Sequence, residues 1–224
     1  MTRRLILVAL FGLCGVGALV ALGTWQVQRL AWKQGLIAQL ETRLAAAPVA
    51  LPAAPDPDRD AYLRVALDGA FEAGEAFALG STRRHGPGFR VIAPFVTEDG
   101  RRVLVDRGFV PEADRRASRP TGPARVVGAL YWPNETDGFT PDPDLAANLW
   151  FARDAESMAR ALGTEPLMIV ADAPTGGAGA PEPVPVGVNL RNDHLQYAIT
   201  WYGMAAAWAV LSLMLARREA RRTS

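Results

Sequence analysis

The sequence predicts a membrane α+β protein: two transmembrane helices flanking an extramembrane, antiparallel β-rich domain with one short helix. Three observations predict it. Leu5 to Gln28 carries no charge, and its first 18 residues are almost wholly apolar. Leu195 to Ala216 is a second uncharged stretch, of 22 residues. Between them lies a segment of ordinary globular composition, in which short β-rich runs alternate with turn residues. As helices the two stretches span about 27 Å and about 33 Å, close to the hydrocarbon thickness of a bilayer.

The first element is transmembrane over 5–28 and continues as a juxtamembrane helix to about 44. Trp25, Arg29, Trp32 and Leu36 follow i, i+4, i+7, i+11, and no proline interrupts before Pro48. Trp25 and Trp32 belong at or above the interface, where indole has an apolar body and a polar edge. A cleaved signal peptide is the competing reading, since Ala21 and Gly23 are small residues at a cleavage-like spacing. The apolar run is longer than a usual signal core, and the helical pattern continues past it.

Residues 48–60 hold four prolines and read as a linker. The β-rich domain covers 61–172. Leu63, Val65 and Leu67 alternate with Arg64, Ala66 and Asp68 as a half-buried strand. Gly69 to Leu79 reads as a second extended segment. Phe89 to Val96 and Val103 to Phe109 are joined across Glu98-Asp99-Gly100, a hairpin signal. Arg125 to Trp132 is a further strand, Asp154 to Leu162 a helix stopped by Gly163, and Pro166 to Ala171 a last strand. Residues 173–190, rich in Gly, Pro and Ala, form a flexible return, and the second transmembrane helix covers 194–216.

Arg3 and Arg4 precede the first span, and Arg217, Arg218, Arg221 and Arg222 follow the second. Short basic flanks stay in the cytoplasm, so both termini are expected there and the domain on the other side. Four residues before the span leave no room for a transit peptide, which points to a bacterial plasma membrane and a periplasmic domain. Lys plus Arg total 24 against 23 Asp plus Glu, so a uniformly basic nucleic-acid binder is excluded. One cysteine excludes an internal disulfide, and two histidines, His85 and His194, argue against a multi-histidine metal site.

Catalytic signals are thin. Lys33 is the sole lysine and lies on the juxtamembrane helix; Cys14 lies in the span. His85 sits in a Gly-Pro turn with no nucleophile beside it and reads as an exposed loop residue. Asp142 and Asp144 stand among prolines as solvated carboxylates. Phosphate-cradling glycine motifs are absent, and the chain does not read as an enzyme. Arg107 is expected in an Arg–Asp pair at a strand end, with contact to cofactor or partner as the alternative, and Gly108 at a bend or bulge.

His194 stands apart. It opens the second span, with Asn192 or Asp193 as the expected N-cap. At 100° per residue it shares a face with Tyr197, Ala198, Trp201, Ala205 and Trp208. That face offers an imidazole at the water boundary, then rings, then a gap of small residues. A flat apolar macrocycle with iron on the imidazole nitrogen suits it. An interfacial histidine with an aromatic belt suits it too, and spacing alone prefers this plainer reading. The alanines at 205–207 equally suit close helix packing. The two-span topology places His194 at the depth of Thr24 to Gln28 and makes Arg29 and Arg191 near neighbours. There they meet cofactor carboxylates or lipid headgroups.

Four ordered blocks resemble the surfeit locus protein one (Surf-one) family. They are Gly23-Thr24-Trp25-Gln26 with Arg29, Trp32-Lys33 and Leu36-Ile37; Gly88 to Phe95 with Val103-Leu104-Val105-Asp106-Arg107-Gly108-Phe109-Val110-Pro111; Asn148-Leu149-Trp150-Phe151 with Arg153-Asp154; and Asn192-Asp193-His194-Leu195-Gln196-Tyr197-Ala198 with Trp201-Tyr202. Phe109 stands where the family commonly has Trp, and Asp193 where it has a second Asn. The resemblance implies an assembly factor for cytochrome c oxidase that binds haem a and helps place it in subunit I. It implies a partnership with subunit I and with haem a synthase. It maps the iron ligand onto His194; the helix face and the two-span topology add Tyr197, Trp201, Arg191, Arg29 and Trp25 as candidate cofactor contacts. A scaffold for oxidase subunits that never holds haem is the alternative.

Overall fold

A computed structural model describes residues 3–133, 135–188 and 190–222. Asn189, inside the predicted return at 173–190, lies outside them, as does the side chain of Arg222 in the predicted basic flank. The chain divides into two compact units. One joins the residues up to Gln39 with those from Val188 onward; the other is Leu40–Gly187.

The first unit is a pair of helices. The long helix α1 spans Arg3–Ala45, close to the predicted 5–44, about 65 Å at the standard rise. Its partner opens at His194 and runs to Arg222, further than the predicted 216. Both contain an 18-residue window apolar enough to cross a membrane, with mean hydropathy 2.7 and 1.5. Where the two helices touch, residues with little or no side chain sit under large ones. A Cβ added at Gly12 would lie 2.7 Å from Ser212 Cβ, and one at Gly15 would lie 2.2 Å from Trp208 Nε1. At Gly23 it would come within 2.8 Å of the Tyr202 ring. Ala198 and Ala205 are buried on the same line. Small residues let backbones approach closely where a hydrophobic drive is missing. The outward faces stay bare: Phe11, Leu13, Ile199 and Met214 are all well exposed.

The second unit is the β-rich domain. After α1 come a single-turn helix α2 (Pro57–Asp60), strands β1 (Arg64–Phe71), β2 (Ala76–Thr82), β3 (Gly86–Thr97), β4 (Arg102–Pro111) and β5 (Gly122–Tyr131). Then follow a two-residue strand β6 (Leu149–Trp150), helix α3 (Ala155–Leu162) and β7 (Met168–Ala171). The C-terminal helix of the first unit is therefore α4 (His194–Arg222). The strands run β1-β5-β7-β4-β3-β2-β6, and a further β1–β3 pairing closes five of them into a small barrel. Inside it pack Val65, Phe71, Phe95, Val103, Val105, Val126, Leu130 and Ile169. The alternate residues Ile92, Leu104, Met168 and Val170 face outward and are covered by Met158 and Ala159 of α3 and by Trp150. Strands buried on both faces lose the alternation that marks a half-buried strand.

The structure corrects three expectations. The sheet is mixed, because β7 pairs parallel to β4 and antiparallel to β5. The chain runs along β4, returns in the opposite sense along β5, and after α3 enters between those two strands, so β7 runs against β5 and therefore with β4. The predicted linker at 48–60 carries a single-turn helix, because Pro57 at the first helical position and the Asp56 side chain, accepting from the Asp58 and Arg59 amides, start α2 there. The predicted extended segment at 69–79 breaks at Glu72–Glu75, where Gly74 takes φ +106° and the chain turns between β1 and β2.

Candidate functional site

His194 is the first residue of α4 and is half-buried. Its Nδ1 lies 2.7 Å from Oε1 of Gln26 on α1, inside the expected stretch Thr24–Gln28. A carboxamide oxygen only accepts, so Nδ1 is the donor and Nε2 keeps its lone pair in the neutral ring. Histidines that ligate metals commonly have their other ring nitrogen fixed by an outer acceptor in this way. Gln26 is itself buried, only 9% exposed. A buried carboxamide is costly unless hydrogen-bonded, so each side chain satisfies the other.

Neither expected N-cap side chain serves as one. The Asp193 carboxylate accepts instead from Arg191 Nε, two residues back. Asn192 Oδ1 is buried with no hydrogen-bond partner. The helix is opened by the backbone, with the Tyr197 amide 3.2 Å from the Asp193 carbonyl.

Around His194 the predicted residues separate into three groups. Trp201 is half-buried. Tyr197 and Trp25 are exposed, at 54% and 51%. Among the cations, Arg29 stacks on the Trp32 ring at 4.4 Å, and the Arg191 side chain is exposed and held by Asp193. Lys33, one turn beyond Arg29, donates to the Arg191 backbone carbonyl. That contact brings the chain entering α4 alongside the juxtamembrane part of α1. The lower end of the ring strip is packed away: Trp208 lies 5.2 Å from Phe11 and covers Gly15. Tyr202, off the predicted face, covers Gly23, and its hydroxyl is 3.1 Å from Thr24 Oγ1.

In the other unit the segment Asp106-Arg107-Gly108 organises a polar core. The expected Arg107–Asp pair does not form. Pairing of β3 with β4 steps from Val91↔Gly108 to Ile92↔Asp106, so Arg107 is the extra residue of a bulge. The bulge sends the two neighbours to different partners. Asp106 is fully buried and receives Arg90, at 2.6 Å, and Arg153, at 2.9 Å. Arg107, 1% exposed, donates to Thr175 Oγ1 and carbonyl, and lies 4.2 Å over the Phe71 ring. Burial pushes the Arg107 guanidinium below its usual range, with Glu75 opposing and Arg119 adding to the shift. Arg153 also grips Glu135. Burial alone would raise the Glu135 carboxyl; the hydrogen bonds and charge of Arg153 outweigh it and hold the carboxyl below the usual range. Gly108 has φ +125°, and an added Cβ would stand 2.1 Å from the Glu182 carbonyl, so the expected bulge glycine also admits the returning chain. His85 pairs with Glu182 at 2.7 Å and stacks on Phe109.

A protein-family model described as the SURF1 family matches residues 13–206, most of the chain. The chain belongs to the SURF1 family. It is 37% identical to surfeit locus protein 1 of Rattus norvegicus over 90% of this chain and 72% of that protein. Identity to surfeit locus protein 1 of Homo sapiens is also 37%, over 85% and 71%. A SURF1-like protein of Monosiga brevicollis is 34% identical over 90% of this chain and 85% of that one. The SURF1 match includes both Gln26 and His194, and the whole Asp106 network.

Gln26 is the site residue that sequence reasoning missed. It stands inside one of the quoted SURF1-like blocks, and a carboxamide in an uncharged stretch is itself a signal, because when buried it needs a partner. Among the described residues no group of three or more His, Cys, Asp or Glu is clustered for a metal ion. A single histidine ligand would not register as such a group.

Proposed function

We propose that this SURF1-family chain is an assembly factor for cytochrome c oxidase that binds haem a through His194 and assists its insertion into subunit I. Two helices hold it in the membrane, in the bacterial plasma membrane as the setting, with both termini cytoplasmic and the β domain periplasmic. Haem a synthase is the proposed donor. The observation that carries the reading is the His194–Gln26 hydrogen bond, which orients the ring and keeps Nε2 available.

The haem is cargo, and the chain acts on it by holding and orienting rather than by covalent chemistry. When bound, its iron supplies a coordination position that an unprotonated imidazole fills. Gln26 keeps the proton on Nδ1. Tyr197 and Trp25 offer exposed rings, with Trp201 half-covered between them and the packed strip. Arg29 and Arg191 offer exposed guanidinium groups to carboxylates at the water boundary.

The test is the visible spectrum of the protein purified from cells that make haem a. His194→Ala is expected to lose most of the bound haem, at least tenfold, while Gln26→Leu retains a reduced and spectrally shifted fraction. Undiminished haem content in His194→Ala overturns the ligand assignment.

The haem-free scaffold has one observation in its favour: Ala198, Ala205, Tyr202 and Trp208 are committed to packing on α1. Recovery of subunit I with a His194→Ala variant that also restores oxidase activity selects that reading.

A further inference from the structure

The end of the helix pair remote from His194 carries a separate arrangement. It gains its meaning from the membrane reading above, on which this inference rests. The contacts Gly12–Ser212, Gly15–Trp208 and Gly23–Tyr202 show that α1 and α4 run antiparallel, so Arg3 and Arg4 share an end with Arg217, Arg218 and Arg221. Glu219 is the one carboxylate in these stretches. Arg217, Arg218 and Arg221 are exposed and line a recess of about 440 Å³ together with Met214.

Further along the pair lies a groove of about 500 Å³ walled by Gly15, Ala18, Leu19, Met204, Ala207 and Leu211, with Trp208. Met204, Leu211 and Arg218 recur every seven residues and so fall on one face of α4. Met204 to Arg218 covers about 21 Å along the helix, comparable with one leaflet including its headgroup layer. Trp208 fills the space over Gly15, and the small residues Ala18 and Ala207 leave the groove open where a bilayer supplies hydrocarbon.

We propose that this end is a binding site for one anionic phospholipid, its phosphate on Arg217, Arg218 and Arg221 and an acyl chain in the groove beside Trp208. The charge selects an anionic head over a zwitterionic one. The groove selects a lipid over a free phosphate, which has no tail to fill it.

The full chain, reconstituted in phosphatidylcholine vesicles, tests this with lipids brominated in the acyl chain. The fluorescence difference between wild type and Trp208→Phe isolates the Trp208 signal. Brominated phosphatidylglycerol is expected to quench that signal at least threefold more than brominated phosphatidylcholine at equal mole fraction. The combined Arg217→Gln, Arg218→Gln and Arg221→Gln variant is expected to quench equally with both. Ala207→Leu, which fills the groove and keeps the charge, is expected to weaken quenching by phosphatidylglycerol. Equal quenching of the wild type by the two lipids overturns the site, and so does release by millimolar inorganic phosphate, which would make it a phosphate site. Resistance to alkaline carbonate is read in parallel: an inserted protein without lipid preference defeats only this inference, whereas an extracted protein defeats the membrane reading and this inference with it.

Discussion

Gly108 and Gln26 show what a single residue contributes and how visible it is beforehand. Gly108 was legible as a bulge from its place in a β-rich run, because an isolated glycine there marks a bend or a close approach. The approaching group was not legible, since Glu182 lies over seventy residues away in sequence. Gly108→Ala is expected to cost roughly 1–3 kcal/mol for the left-handed backbone alone, and more for displacing the Glu182 carbonyl. Thermal unfolding of the purified protein in detergent measures this; an unchanged Tm would mean the returning chain is not tied to β4. Gln26 was harder to read. A helical period shows which residues share a face, and a two-span topology shows their depth, but neither says which side chain on the facing helix completes a hydrogen bond. Its own sequence neighbours are all uncharged, so no charge pattern marks it.

At the scale of elements, β4 holds the domain's polar core. Hairpin β3–β4 was readable from Glu98-Asp99-Gly100, and the end of α3 from Gly163, because these signals are local. The parallel position of β7 and the two-residue β6 were not, since β7 finds β4 and β6 finds β2 across long stretches of sequence. The strand ends of β4 likewise suggested an Asp106–Arg107 pair; the bulge overrides it by turning the neighbours to different partners. Asp106 compensates Arg90 and Arg153 in a buried setting, so Asp106→Ala removes the carboxylate partner of Arg90 and leaves Arg153 with Glu135 alone. A loss of about 3–5 kcal/mol is expected, read from denaturant midpoints, because removing one partner of a buried ion pair leaves uncompensated charge. Glu135 adds a pH dependence of defined sign. Its carboxyl titrates lower when folded than when unfolded, so its contribution is complete above the ordinary glutamate range and disappears as pH falls through the depressed folded value. The Tm advantage of wild type over Glu135→Gln should therefore hold at pH 6 to 7 and shrink below about pH 4. A gap that widened on acidification would contradict the Arg153–Glu135 account.

For the whole molecule, the same helix pair sets two chemically different ends. One end holds His194, Gln26 and an open rim of rings and cations; the other holds arginines. The proposed assignment of sides rests on which end is richer in short basic flanks, since arginine next to a span favours the cytoplasmic side. The β domain, net −4 with its flanking helices between residues 23 and 194, is weak support because long domains cross regardless of charge. Topology is therefore best settled by accessibility, and Cys14 as the sole native thiol makes this simple. In a Cys14→Ala background, Ser118→Cys places a thiol on an exposed loop of the domain, and Ala220→Cys places one at the arginine end. A membrane-impermeant maleimide applied to intact spheroplasts is expected to label Ser118→Cys and leave Ala220→Cys unmodified until the membrane is opened. The reverse pattern would put His194 at the cytoplasmic interface, so that the imidazole and its rings faced the wrong leaflet for the proposed periplasmic domain. Labelling of both before opening would remove the two-span arrangement altogether. The Gln26–His194 hydrogen bond would then have to be understood as the contact of two helices in water.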